Sequence, residues 1–357
     1  RRIVGLRQPL EKILVCGREE IVLQVDRNLN YQALLSENTL DNVPPPLEPV
    51  AEYTLPSGAY GYVTHAMFDE RACREFVHES VADFVDSYHH VLVASSSLVV
   101  GVSGGGDSNA LLTTLVNVTR GLGIAIVPVM ILGVPEWDSA VDRAQELSAS
   151  VGLELQVIGS RTVNEILGRP SSVPNWLSDF HAHFPREDSD VIGTLAIRLA
   201  LSSLARRIGA SCVVTGLNLE DLLAECFLRL IQGRHPLQFP VRALDGINFC
   251  YPVYRVPKKI LDGCHPKHSL ANYEERSAGV MMGRAIPYHL AQSVNSIVPG
   301  AEFDLLEGFR SLPHERPNDS TDFGFATLVD AGMSPEVESR WAKYISGERP
   351  DDPRTAI

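Results

Sequence analysis

Six consecutive residues carry the strongest chemical signal in the chain: Ser103-Gly104-Gly105-Gly106-Asp107-Ser108. Three glycines let a backbone turn and come close to a ligand with no Cβ in the way. The residues before them, Ser97-Leu98-Val99-Val100-Gly101-Val102, are apolar and β-branched, the pattern of a strand buried on both faces of a parallel sheet. The residues after them, Ala110-Leu111-Leu112 and Leu115-Val116, have helical spacing. The stretch therefore reads as strand, glycine loop and helix start. The N–H groups and the positive dipole end of that helix point into the loop, which favours a phosphate.

Two common phosphate loops do not fit. The GxxxxGK[ST] loop needs a lysine, and none follows these glycines. The dinucleotide fingerprint GxGxxG has a different spacing and a later acidic residue that is missing here. A second stretch repeats the layout. Ser211-Cys212-Val213-Val214-Thr215 reads as a strand, Gly216-Leu217-Asn218 as a turn, and Leu219-Glu220-Asp221 as a helix start. Acids in a first helical turn complement the helix dipole. Asp221 can also face the glycine loop across the crevice and help to hold Mg²⁺ on a triphosphate.

The Ser-Gly-Gly-x-Asp-Ser loop in this setting resembles the pyrophosphate loop of the N-type ATP pyrophosphatases, the adenine nucleotide α-hydrolase-like or PP-loop superfamily. Thr215 to Glu225 resembles the T-G-H-N-x-D-D-x-A-E segment of the tRNA(Ile)-lysidine synthetase and tRNA 2-thiocytidine synthetase group. Gly216, Asn218, Asp221, Ala224 and Glu225 match, while Leu217 replaces the histidine and Glu220 the first aspartate. Tyr251 to Leu261 looks like the family's R-P-L-L-x-V-x-K-x-E-I segment. The resemblance spans about residues 92 to 261.

It implies ATP and Mg²⁺ as cofactors and cleavage of ATP between the α- and β-phosphates. Val102, Ser103, Gly104, Gly105, Gly106, Asp107 and Ser108 would bind the nucleotide, with Met130, Gly216, Asn218 and Arg198. Asp107, Ser108, Asp221 and Lys258 would be catalytic, and Asp107 and Asp221 would hold Mg²⁺. An oxygen of an acceptor would take the adenylyl group, and a nitrogen or sulfur nucleophile would then displace AMP. The thiocytidine-type enzymes carry a CxxC on the helix before the fourth strand. The corresponding residues here are Asp190-Val191-Ile192-Gly193, so no iron–sulfur cluster is expected.

The elements that must position these residues follow in order. Apolar runs at Ile124–Leu132, Leu153–Ile158 and Ser211–Thr215 alternate with helical patterns at 69–92, 139–150, 192–208 and 219–231. Alternating strands and helices predict an α/β fold with a doubly wound parallel sheet, HUP-like in the terms of the resemblance. Residues 1–68 read as a small β-containing segment with a proline-rich linker at 43–50, residues 69–261 as the PP-loop domain, and 262–357 as a mostly helical region over the strand ends, with helices at Ala291–Ile297, Phe303–Phe309 and Pro335–Ile345 and a polar tail at 347–357. The stretch from Ser160 to Ser189 shows little periodicity and reads as a lid or loop.

Composition narrows the partners. The net charge of −13 opposes binding to long phosphate backbones, so a small-molecule acceptor is expected ahead of tRNA. No run approaches the ~20 apolar residues of a membrane span. The residues Arg1 to Gly5 lack a signal-peptide form, and the six cysteines include no CxxC, which together fit a reduced, cytoplasmic protein. A homodimer is compatible with this composition. Cys226 could carry sulfur or fill core space, and His181-x-His183 and Cys264-His265-x-x-His268 fit no strong metal pattern. Two rival readings stay open: a tRNA-modifying enzyme using the same adenylation, and a nucleotide-binding module without turnover.

Overall fold

Leu98, Val99 and Val100 are all fully buried, which a strand achieves only when both faces of its sheet are covered. The computed structural model describes residues 11–15, 18–24, 51–57, 62–93, 96–169, 172–185, 189–231, 233–244, 246–275, 282–314, 339 and 343–344. It opens with β1 (Glu11–Val15), β2 (Arg18–Gln24), β3 (Ala51–Pro56) and β4 (Tyr62–Phe68). These form an antiparallel sheet in the order β1-β2-β4-β3. Helix α1 (Glu70–Ser87), capped by Asp69, leads to the second sheet.

That sheet and its helices comprise β5 (Ser97–Gly101), α2 (Gly106–Val118), β6 (Ala125–Ile131), α3 (Pro135–Asp138), α4 (Val141–Ser150), β7 (Gln156–Ile158), α5 (Ser160–Ile166), α6 (Trp176–His183), α7 (Ser189–Ile208), β8 (Cys212–Val214), α8 (Leu219–Ile231), β9 (Val241–Leu244) and β10 (Ile247–Cys250). Helices α9 (Lys258–Cys264), α10 (Pro266–Glu275), α11 (Met282–Ile297) and α12 (Ala301–Ser311) follow.

The strand order is β7-β6-β5-β8-β10-β9, and every neighbouring pair is parallel except β9 with β10. Side chains alternate along β5: Val99 enters a core shared with α5 to α8, and Leu98 and Val100 enter one shared with α1, α2, α4 and α9. Val213 divides in the same way from Cys212 and Val214 on β8. Helices therefore cover both faces, and the α/β doubly wound arrangement is the one expected from the sequence. From β5 the chain winds outward through β6 and β7, then returns to place β8 on the other side of β5. The crevice at such a reversal lies beyond the carboxyl ends of the two strands, where open α/β sheets bind ligands. The loops that leave β5 and β8 are the two motifs picked out above.

The sequence reading needs correction in three places. The segment Ser160–Ser189 is not a loose loop but carries α5 and α6. Asn175 caps α6, accepting from the Leu177 amide at 2.7 Å, and Trp176 is fully buried and donates to Leu132 O at 3.2 Å. Helices of 7 and 8 residues are too short to show a clear period. Strand β9 adds an antiparallel edge, tied down by a buried ion pair between Arg242 and Glu225 of α8. Helix α11 starts well before the predicted Ala291 and runs through Pro287. The linker at 43–50 and the tail at 347–357 lie outside the described residues, as does most of the helix predicted for 335–345.

A buried polar cluster joins the first sheet to the last helices. The Tyr53 hydroxyl of β3 donates to Glu302 Oε1 of α12 at 2.9 Å. Asn295 of α11 donates to the same carboxylate and, at 2.9 Å, to Thr54 O. Glu302 Oε2 has no hydrogen-bond partner among the described residues. Burial pushes the Glu302 carboxyl up from 4.5 to about 7, against the pull of its hydrogen bonds. In the unfolded chain this carboxyl ionises near 4.5, so between 4.5 and about 7 the fold retains a proton that the unfolded chain has released. Stability therefore falls as pH rises across that window. Glu302→Gln lacks this ionisation. It should gain stability relative to wild type between pH 5 and pH 8, by roughly 1–3 kcal/mol in denaturant titrations. A difference independent of pH would contradict the assignment.

Candidate functional site

The glycine loop is rigid because each part of it is held. Val102 continues the β5 ladder, its amide donating to Val129 O at 2.8 Å. Gly104 takes φ +70°, a left-handed conformation, and a Cβ there would lie 2.6 Å from Ala140 O. Only glycine meets both conditions without strain. Arg143 Nε donates to Gly104 O at 3.2 Å. Within the loop, the Ser108 hydroxyl donates to Gly105 O at 3.1 Å and accepts from the Ser103 amide at 3.2 Å and the Ser103 hydroxyl at 3.3 Å. Gly105 stands at the cap of α2 with no side-chain hydrogen bond there. The amides of a first helical turn have no intrahelical acceptors, so they are available to an anion.

The second loop faces the first. A Cβ on Gly216 would lie 3.9 Å from Asp107 Cβ. Asn218 bridges them, with Nδ2 donating to Asp107 Oδ2 at 3.4 Å. Asn218 and Asp221 also close a reciprocal cap on α8: the Asn218 amide donates to Asp221 Oδ2 at 3.1 Å, and the Asp221 amide to Asn218 Oδ1 at 3.0 Å. Lys258, the first residue of α9, places Nζ 2.6 Å from Asp107 Oδ1 and 2.9 Å from Asp262 Oδ1. Burial pushes the Asp107 carboxyl up, while Lys258 pulls it down and the carboxylates of Asp221 and Asp262 push it further up. Glu220 anchors the helix that carries the lysine, accepting from the Lys258 amide at 2.8 Å. Burial raises the Glu220 carboxyl to about 7.

Asp107, Ser108, Asn218, Gly216, Asp221 and Lys258 thus converge on one crevice, although Asp107 and Lys258 are 151 positions apart. Met130 and Arg198 are buried side chains, 2% and 3% exposed, and Arg198 acts electrostatically on Tyr251. Cys226 is buried in the core around α8, and burial pushes its thiol up, away from the reactive thiolate. His265 is held down at about 4 by burial and by Arg74, and His183 lies 3.8 Å from Asp179.

The sequence reading missed three residues at this site. Tyr288 of α11 donates its hydroxyl to Asp221 Oδ1, and Asp262 and Arg143 hold parts described above. No local motif marks them, since each acts on a residue brought near by the fold.

No protein-family model matches this chain, and no curated protein matches it in sequence. Among solved structures, it aligns with the U34-tRNA thiolase NcsA of Methanococcus maripaludis, described with its iron–sulfur (4Fe-4S) cluster. The TM-score is 0.52 at 14% identity, covering 73% of this chain and 86% of that one. It aligns more loosely with an NH3-dependent NAD synthetase of Campylobacter jejuni (TM-score 0.37, 16% identity, 70% and 99% covered). An NMN synthetase of Francisella tularensis gives 0.40, 15%, 70% and 99%. The thiolase likeness bears on the fold: the chain shares the α/β fold of that enzyme.

The tight seat of Gly104 yields a direct test. Gly104→Ala should cost about 1–2 kcal/mol from the left-handed backbone alone, with more from the contact with Ala140 O. Thermal melting would show it as a lowered Tm, and an unchanged Tm would mean that the loop is not held as described.

Proposed function

We propose that this protein is an ATP-dependent enzyme that forms AMP and pyrophosphate by adenylating an oxygen of a small-molecule acceptor. The observation that carries the reading is the facing of the two loops at the sheet's reversal point, with Asp107, Asn218, Asp221 and Lys258 joined across it. The unclaimed first-turn amides of α2 suit the β- and γ-phosphates, and Lys258 supplies a cation beside them. An acceptor oxygen attacks the α-phosphorus, the bond to the α–β bridging oxygen breaks, and pyrophosphate leaves with the charge that these donors stabilise. A nitrogen or sulfur nucleophile then displaces AMP from the adenylated acceptor. The chain contributes chiefly positioning and electrostatics.

The donor set suits Mg²⁺. Asp107 and Asp221 supply hard carboxylate oxygens, and no larger group of metal-binding side chains gathers among the described residues. Mg²⁺ is typically held by one or two carboxylates, with phosphate oxygens and water completing its shell. When bound, it would neutralise charge on the leaving pyrophosphate. The proposed reaction calls on no iron–sulfur cluster, and Asp190-Val191-Ile192-Gly193 stand where the thiocytidine-type enzymes carry their CxxC.

The net charge of −13 favours a small acceptor over tRNA. Among the described residues no helix is long and apolar enough to cross a membrane. Mass spectrometry of AMP and pyrophosphate from ATP·Mg²⁺ tests the reading, with a metabolite extract in one arm and pooled tRNA in the other. Turnover is expected with the extract, and Asp107→Asn should lower it at least ~100-fold. Turnover with tRNA alone would make this a tRNA-modifying enzyme, and ATP left intact in both arms would overturn the adenylation reading.

Cys226 separates a nitrogen or external sulfur donor from sulfur carried on the protein. Cys226→Ser should retain activity within about 2-fold, as for a small buried residue whose removal leaves the site in place. Loss of activity in a variant that still folds would make Cys226 the carrier.

A further inference from the structure

Lys258 lies between two carboxylates of different kinds. Asp107 belongs to the loop that, on the reading above, receives the phosphates. Asp262 belongs to α9 itself, one turn beyond the lysine and on the same face. The three side chains are partly open, with Lys258 at 28% and each aspartate at 25% exposure, so a ligand can reach the ammonium. A triphosphate entering the loop competes with Asp107 for that ammonium. Asp262 does not have to yield, since it rides on the same helix and stays within reach of Nζ.

Helix α9 is also held at both ends. Glu220 accepts from the Lys258 amide at 2.8 Å. At the far end Asp262 O accepts from the Ser269 hydroxyl at 3.3 Å. Ser269 in turn lies against the loop, where a Cβ on Gly106 would come within 2.0 Å of its Oγ. With the helix fixed in this way, Lys258 can change partner by side-chain torsions alone.

We propose that Asp262 is a positioning residue that holds the Lys258 ammonium toward the glycine loop when Asp107 gives it up to the nucleotide. The proposal rests on the nucleotide reading above. Asp262 lies four residues after the lysine, on the next turn of α9.

The role predicts an effect of unusual sign. Removing a carboxylate near a triphosphate should tighten ATP binding by lowering repulsion. If Asp262 works through Lys258, its loss should weaken ATP binding, and only when the lysine is present. Calorimetric titration of the full chain with ATP·Mg²⁺ and with AMP, on a double-mutant cycle of Asp262→Asn and Lys258→Ala, reads this directly. Asp262→Asn should weaken ATP binding about 3- to 10-fold in the wild-type background and leave it unchanged or tighter in the Lys258→Ala background, with little change for AMP. Asp262→Glu should bind ATP within about 2-fold of wild type, and Asp262→Ser should repeat the Asn result if that variant folds poorly.

Equal weakening in both backgrounds, or no weakening in the wild-type background, overturns the positioning role while the nucleotide reading stands. A wild-type chain that binds no ATP overturns both.

Discussion

A partly buried carboxylate at the mouth of a glycine loop needs a cation, and here the fold delivers one from far along the chain. The Lys258–Asp107 contact, at 2.6 Å, fixes the start of α9 against the start of α2. Much of the site's structure serves that contact. Glu220 secures the lysine's backbone, Asp262 stands on its other side, and Asn218 holds the second oxygen of Asp107. The pair is only partly open to solvent. Its importance lies in bringing three separate segments to one crevice.

The sheet makes this convergence possible. Strand β5 has both faces buried, so nothing but its carboxyl end is open to a ligand. Because β8 returns beside β5, the loop after each strand opens into the same crevice, and α8 and α2 both start there. Helix α11 then adds Tyr288 to the far side of Asp221. Two aspartates on facing loops, each already bonded to a neutral or cationic donor, form a site whose negative charge is held in check in the absence of ligand.

Much of this was legible in the residues themselves. The apolar run Leu98–Val100, the glycines and Asp107 are local signals, and local chemistry dictated the strand, the turn and the helix start. Gly216, Asn218 and Asp221 were legible for the same reason. Asp262, Tyr288 and Arg143 were not, because nothing near them in sequence says what they touch. Tyr288 reaches Asp221 across 67 positions and Arg143 reaches Gly104 across 39. Helices α5 and α6, of 7 and 8 residues, escaped because so short an element shows no clear period, although Trp176 and Phe180 are buried one turn apart on α6. The edge strand β9 escaped because its anchor, Arg242, reads as a surface residue until Glu225 is placed beside it. Met130, a nucleotide contact in the terms of the resemblance, has its side chain in the core beside α2 and α4.

The central claim is that the loop Ser103–Ser108 is the seat of the β- and γ-phosphates. A crystal structure with the α,β-methylene analogue of ATP tests it most directly, since that analogue cannot be cleaved between those phosphates. The account predicts the β- and γ-phosphates on the backbone amides at the start of α2, with the Lys258 ammonium turned from Asp107 to the phosphate oxygens. A nucleotide bound elsewhere, or one seated with its adenine in the glycine loop and its phosphates in solvent, would contradict it.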